Sequence, residues 1–140
     1  MNNKLIYIAG PCVINKPEVT YDIALALRDI LAPFQDQIYF AFKASYDKAN
    51  RTRHTSFRGV GLKQGLEVLA SIKKDFGFKI LTDVHQVCDI GTVADVVDIL
   101  QVPAFLCRQT DLIVECAKTG KVINLKKGQF IAPDDVKYNS

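Results

Sequence analysis

Apolar residues along the chain follow two alternating rhythms. Short runs rich in β-branched side chains recur at Leu5–Ala9, 38–42, 79–81, 97–100 and Val122–Leu125. Because they are continuous and do not alternate with polar residues, they predict strands buried on both faces, as in parallel sheets. Between them lie stretches of helical spacing at 18–31, Leu62–Phe76, 87–94 (short) and 111–118. In Leu62–Phe76 the residues Leu62, Leu66, Leu69, Ile72 and Phe76 recur at three and four positions and share one helix face. Strand and helix alternating at this pace predict βα units joined by right-handed crossovers. The pattern leaves both a doubly wound sheet and a closed barrel open. No internal repeat, low-complexity segment or Ser/Gly-rich linker interrupts the series, so residues 1–140 read as one domain. After the fifth run the chain reads KKGQFIAPDDVKYNS, where Pro133, Asp134 and Asp135 look like the start of a further helix.

Composition narrows the function class only a little. The 140 residues are 49% hydrophobic, enough for one ordinary core. Eighteen basic and 15 acidic residues are mixed along the chain, without the like-charge block expected of a nucleic-acid or membrane-surface binder. The opening MNNKLIYIAGPC carries an apolar run too brief for a secretory or membrane segment, and it reads as a first strand of a cytoplasmic protein. Four cysteines, at 12, 88, 107 and 116, lack CxxC spacing, which argues against a zinc knuckle or a disulfide scaffold. Cys88, Cys107 and Cys116 are expected to be small buried hydrophobes.

The chemistry collects where the apolar runs end. Cys12 follows the first, Lys43, Ser45 and Lys48 the second, Asp83 and His85 the third, Gln101 the fourth, and Lys126 and Lys127 the fifth. In parallel α/β folds the carboxyl ends of the strands are where sites assemble. Side chains two apart on a strand share a face, so Lys43 with Ser45, and Asp83 with His85, can point into one mouth. With Arg51, Arg58 and Arg108 from the following loops the mouth would be cationic, suited to a small anionic substrate through charge-assisted hydrogen bonds. Against this, a single lysine or arginine near a strand end is more often a solvated loop residue, and Cys12 alone more often a buried hydrophobe. His85 fits a hydrogen-bonded core group as well as an acid or base, and His54 reads as a loop residue.

Longer motifs carry a resemblance: IAGPCVI at 8–14, KASYDKANR at 43–51, SFRG at 56–59, LTDVH at 81–85, LQVPAFLCRQTDL at 100–112 and INLKKGQF at 123–130. By these the chain is identified as a member of the 3-deoxy-D-manno-octulosonate 8-phosphate synthase family, in the form that carries a metal-binding cysteine. The resemblance implies a TIM (β/α)₈ barrel that condenses phosphoenolpyruvate with D-arabinose 5-phosphate and releases phosphate, for lipopolysaccharide biosynthesis. It implies that Lys43, Ser45, Lys48, Gln101, Ala104 and Lys126 surround phosphoenolpyruvate. Asn50, Arg51 and Thr52 would hold the sugar phosphate, and Asp83 and Arg108 would orient the sugar. Catalytic roles would fall to Lys48, Asn50 and Asp83, and Cys12 would be a ligand to a divalent metal such as zinc, iron or manganese. A homotetramer is implied for the full-length protein. Thr52 stands where the family commonly has serine, and Thr55 where it usually has histidine, with His54 one residue early. The related synthase that uses erythrose 4-phosphate also begins with a GPC strand, but KANR at 48–51 differs from its Lys-Pro-Arg-Thr motif.

A (β/α)₈ barrel needs about 250 residues and eight strands, and this sequence supplies about five. The remaining metal ligands, a histidine, a glutamate and an aspartate, and a further phosphate-binding arginine lie on later strands of the family. The chain is therefore expected to be an inactive front portion of the barrel, with two open sheet edges.

Overall fold

The structure, a computed structural model, describes residues 4–139. Five strands, β1 (Leu5–Ala9), β2 (Ile38–Lys43), β3 (Lys79–Asp83), β4 (Ile99–Val102) and β5 (Val122–Leu125), form one parallel sheet in the order of the chain. Each new strand adds to the same side of the last. A doubly wound sheet would reverse its strand order at a switch point. This one does not, and it is the succession of a (β/α) barrel, here five strands of one.

Four helices supply the crossovers: α1 (Pro17–Leu31), α2 (Leu62–Phe76), α3 (Ile90–Val96) and α4 (Thr110–Lys118). Proline opens α1, where its missing N–H costs nothing, and Gly77 ends α2 in the left-handed region at φ 68°. The fourth strand begins two residues later than its apolar run, because Val97 and Asp98 form the turn into it. The Asp98 carboxylate accepts from the Ile80 N–H and pairs with Lys73 at 3.0 Å, tying that turn to β3 and α2. Of the short 3₁₀ turns, those at Ala32–Phe34 and Ala104–Leu106 went unread in the periodicity, Val87–Asp89 was read as the first turn of the helix at 87–94, and Pro133–Asn139 was read as a helix start.

Pairing register sorts the sheet into two faces. Phe42, Ile80, Leu100 and Val102 point outward and pack with Leu66, Leu69, Ile72, Val93, Leu112 and Cys116 of the helices in one core. Ala41, Leu81 and Ile99 make a second cluster on the inner wall. One step toward the carboxyl end of each strand, that same inner face turns polar, at Lys43, Asp83, Gln101 and Asn124. The barrel scaffold therefore brings the polar residues to one rim.

Candidate functional site

The polar rim begins with a chain of hydrogen bonds across four strands. Lys43 at the end of β2 donates to Ser45 at 2.7 Å and lies 3.3 Å from the Asp83 carboxylate. The Ser45 hydroxyl donates to one oxygen of Asp83, and the Gln101 amide to the other. Asn124 of β5 in turn donates to the Gln101 carbonyl oxygen at 2.7 Å. Asp83 and Gln101 are 7% and 6% exposed. Such burial pushes the Asp83 carboxyl up, but the Lys43 ammonium and the donors from Ser45 and Gln101 outweigh it, and the group is held below the usual carboxylate range. It stands ionised and can only accept.

Above this floor lies a cavity of about 520 Å³. It is lined by Lys48, Asn50 and Arg51 from the loop after β2, Asp83 at the end of β3 and His85 just beyond it, Pro103 to Leu106 after β4, and Lys126 and Gln129 after β5. Every loop contributing to it leaves the carboxyl end of a strand. Lys48, Asn50, Arg51, Asp83, Ala104 and Lys126 thus share the cavity, and Lys43, Ser45 and Gln101 support it through Asp83. Three expected site residues, Cys12, Thr52 and Arg108, are exposed and stand outside its lining.

The loop from β2 to α2 is fastened at its base. Arg58 forms a two-pronged pair with Asp47, with Nε donating at 2.8 Å. The Lys48 N–H donates to the Arg58 carbonyl at 2.6 Å, and His85 Nε2 bonds the Asp47 carbonyl at 3.1 Å. Arg58, expected among the cations of the mouth, is therefore committed to a neighbouring carboxylate and does not line the cavity. Its role is structural because Asp47, missed in the sequence reading, lies within reach. Arg51 donates through Nε to the Phe57 carbonyl at 3.0 Å, leaving the other end of its guanidinium for a ligand. Lys127, by contrast, caps the carbonyls of Gly128 and Ile131.

The cysteines divide differently from expectation. Cys107 and Cys116 are buried, but Cys88 is exposed in the 3₁₀ turn at Val87–Asp89, whose short length keeps its side chain at the surface. Cys12 is exposed too. A hydrogen bond from Lys48, partly opposed by desolvation and aided by the charge of Lys43, lowers its thiol pKa. That favours the thiolate over the thiol form. Among the described residues no group of three His, Cys, Asp or Glu side chains converges to hold a metal ion. Gly10, two residues before it, has φ +150°, and a Cβ there would fall 2.2 Å from the Lys43 carbonyl oxygen. Only glycine lets the GPC turn lie against the end of β2.

Asn124 also escaped the sequence reading. Its signal was a single polar residue inside an apolar run, two positions before Lys126, which places it on the inward face at the rim.

The model of the DAHP synthetase I family matches residues 1–140. Among curated proteins, the chain is 52% identical over 136 residues to a 2-dehydro-3-deoxyphosphooctonate aldolase of Campylobacter jejuni subsp. doylei, covering 97% of this chain and 50% of that protein. Proteins of the same name from Helicobacter acinonychis and Polaromonas sp. are each 53% identical, across 97% and 98% of this chain and 49% and 47% of theirs. The chain spans about half the length of the curated relatives it matches. Among the described residues no helix is long and apolar enough to cross a membrane.

Proposed function

Because the chain belongs to the DAHP synthetase I family, we propose that the protein carrying it condenses phosphoenolpyruvate with D-arabinose 5-phosphate, giving 3-deoxy-D-manno-octulosonate 8-phosphate and inorganic phosphate for lipopolysaccharide biosynthesis. The observation that carries this reading is the rim itself: Lys48, Asn50, Arg51, Asp83 and Lys126 around one cavity, in a chain 52% and 53% identical to relatives named 2-dehydro-3-deoxyphosphooctonate aldolase.

In the proposed reaction, carbon 3 of phosphoenolpyruvate attacks the sugar aldehyde, water adds at carbon 2, and the tetrahedral intermediate expels phosphate. Two multiply charged anions must lie side by side, and the main task of the protein is to neutralise and hold them. Each cation about 4 Å from an anionic oxygen gives roughly 4 kcal/mol near a protein surface, so Lys48 and Lys126 offset much of the mutual repulsion, while Lys43 beneath them is paired with Asp83. Asn50 and Arg51 sit farther out on the loop and suit the sugar phosphate. Asp83, ionised and acceptor-only, suits a sugar hydroxyl and fixes the aldehyde face. Cys12 would serve as one ligand to a divalent metal, which when bound supplies Lewis-acid polarisation. Residues outside these 140 would complete that ligand set and the anion site.

The test is phosphate release by the protein carrying these residues, with phosphoenolpyruvate and either arabinose 5-phosphate or erythrose 4-phosphate. A kcat/KM at least roughly a hundredfold higher for the pentose phosphate is expected, since the site is built to hydrogen-bond the longer sugar. Equal or reversed preference would assign the chain to the erythrose 4-phosphate reaction instead.

A further inference from the structure

Asn124 reaches the rim from β5, paired in register with Gln101, yet it does not line the cavity. Among the described residues its side chain's one hydrogen-bond partner is the Gln101 carbonyl oxygen at 2.7 Å. The direction of that bond follows from the residue at the far end. Asp83 only accepts, so of the two ends of the Gln101 amide the NH₂ must face it. The Gln101 carbonyl is thereby turned toward β5, where only a donor fits. On the other flank Ser45 accepts from Lys43 and donates to Asp83. All the links point one way, toward Asp83. With the Gln101 amide reversed, its carbonyl oxygen would meet the Asp83 carboxylate acceptor to acceptor. At 6% and 7% exposure, little water is available to relieve that clash.

We propose that Asn124 is a positioning residue of the condensation site: by donating to Gln101 it locks the Gln101 amide in the orientation that presents its NH₂ to Asp83, and so holds the carboxylate in place under the cavity. The consequence for catalysis rests on the reaction proposed above, whereas the Asn124–Gln101–Asp83 link does not. A polar side chain that merely fills its place in a strand would not depend on Gln101, and that dependence is what separates the two roles.

The experiment is a double-mutant cycle in the protein carrying these residues, with Asn124→Ala, Gln101→Ala, the double variant and the isosteric Asn124→Asp. Asn124→Ala is expected to lower kcat about tenfold, the worth of one buried hydrogen bond, with KM for both substrates within about threefold. In the Gln101→Ala background the same substitution should cost less than about twofold, because the group it acts through is gone. A full tenfold loss in both backgrounds would overturn the proposal. Asn124→Asp keeps the shape but turns an acceptor on the Gln101 carbonyl, so it should lose at least as much kcat as the alanine variant. Wild-type kcat for Asn124→Asp would equally overturn it. Should the alanine variant fail to fold, the aspartate variant decides alone. Denaturant unfolding of the same set gives a readout independent of activity. Asn124→Ala should lower the midpoint in the unaltered background and leave it unmoved in Gln101→Ala, and equal shifts in both would refute the link. Absence of phosphate release from the unaltered protein would refute the proposed reaction and leave the unfolding cycle to judge Asn124.

Discussion

Asp83 concentrates the physics of the site in one side chain. It is buried, charged, and paired at 3.3 Å with a Lys43 that is itself only 15% exposed. Breaking such a pair from one side strands the other charge, at about 3 kcal/mol. Asp83→Asn should therefore lower stability by about that much and reduce kcat at least about a hundredfold, measured by chemical denaturation and phosphate release. Retention of both would remove Asp83 from the centre of the network. The same residue sets an acid limit. Asp83, Asp47 and Asp98 are all held below the usual carboxylate range against the pull of burial, by Lys43, Arg58 and the Ile80 N–H with Lys73 respectively. A carboxyl with its folded pKa below its unfolded one contributes stability above the unfolded value and loses it as pH falls through the folded value. The unfolding midpoint should hold steady from pH 7 to about 5 and drop below about pH 4, with a shallower drop in Asp83→Asn. An acid limb unchanged by that substitution would contradict the assignment. Lys43, Ser45, Asp83 and Gln101 were legible because each ends an apolar run. Asn124 was not, because its meaning depends on which amide it faces, and pairing register is invisible in one sequence. Arg58 misled for a related reason: its charge was legible, its partner Asp47 was not.

At the scale of elements, β1, β5 and α2 match the periodicity to the residue, the start of α3 moves by three positions because Val87–Asp89 winds as a 3₁₀ turn, and the other boundaries move by one or two. The runs at 79–81 and 97–100 ended elsewhere because polar Thr82, Asp83 and Gln101 continue the strands, their hydrogen bonds to neighbouring strands standing in for apolar packing. The choice between doubly wound sheet and barrel was beyond periodicity, since both repeat the same βα unit and differ only in strand order. Helix α2 carries a test of packing against propensity. Gly65 lies inside it, where alanine would ordinarily stabilise by about 1 kcal/mol. Here an added Cβ would fall 2.3 Å from the Tyr46 Cβ, in the loop that leads to Lys48 and Asn50. Gly65→Ala should therefore destabilise by about 1 to 3 kcal/mol and raise KM for the sugar phosphate. A stabilised variant in thermal melts would show that the loop yields freely.

At the scale of the whole molecule, the five described strands leave part of the barrel wall uncovered. Leu5 and Ile6 of β1 are each 67% exposed and Val122 of β5 62%, on strands that each pair on one side only. Open edges and apolar faces of this kind invite self-association. Residues 1–140 produced alone should associate in a concentration-dependent way in sedimentation, and Ile6→Lys should reduce it. A clean monomer at about 100 μM would contradict that reading of the exposed wall. The barrel geometry matters to function because it alone brings four loops, distant in sequence, around one cavity. The most direct test of that claim is a crystal structure of the protein carrying these residues, soaked with phosphoenolpyruvate and with arabinose 5-phosphate. The expected result is phosphoenolpyruvate between Lys48 and Lys126, above the Asp83 floor, with the sugar phosphate at Asn50 and Arg51. Phosphoenolpyruvate bound away from those lysines, with the cavity empty, would contradict the account.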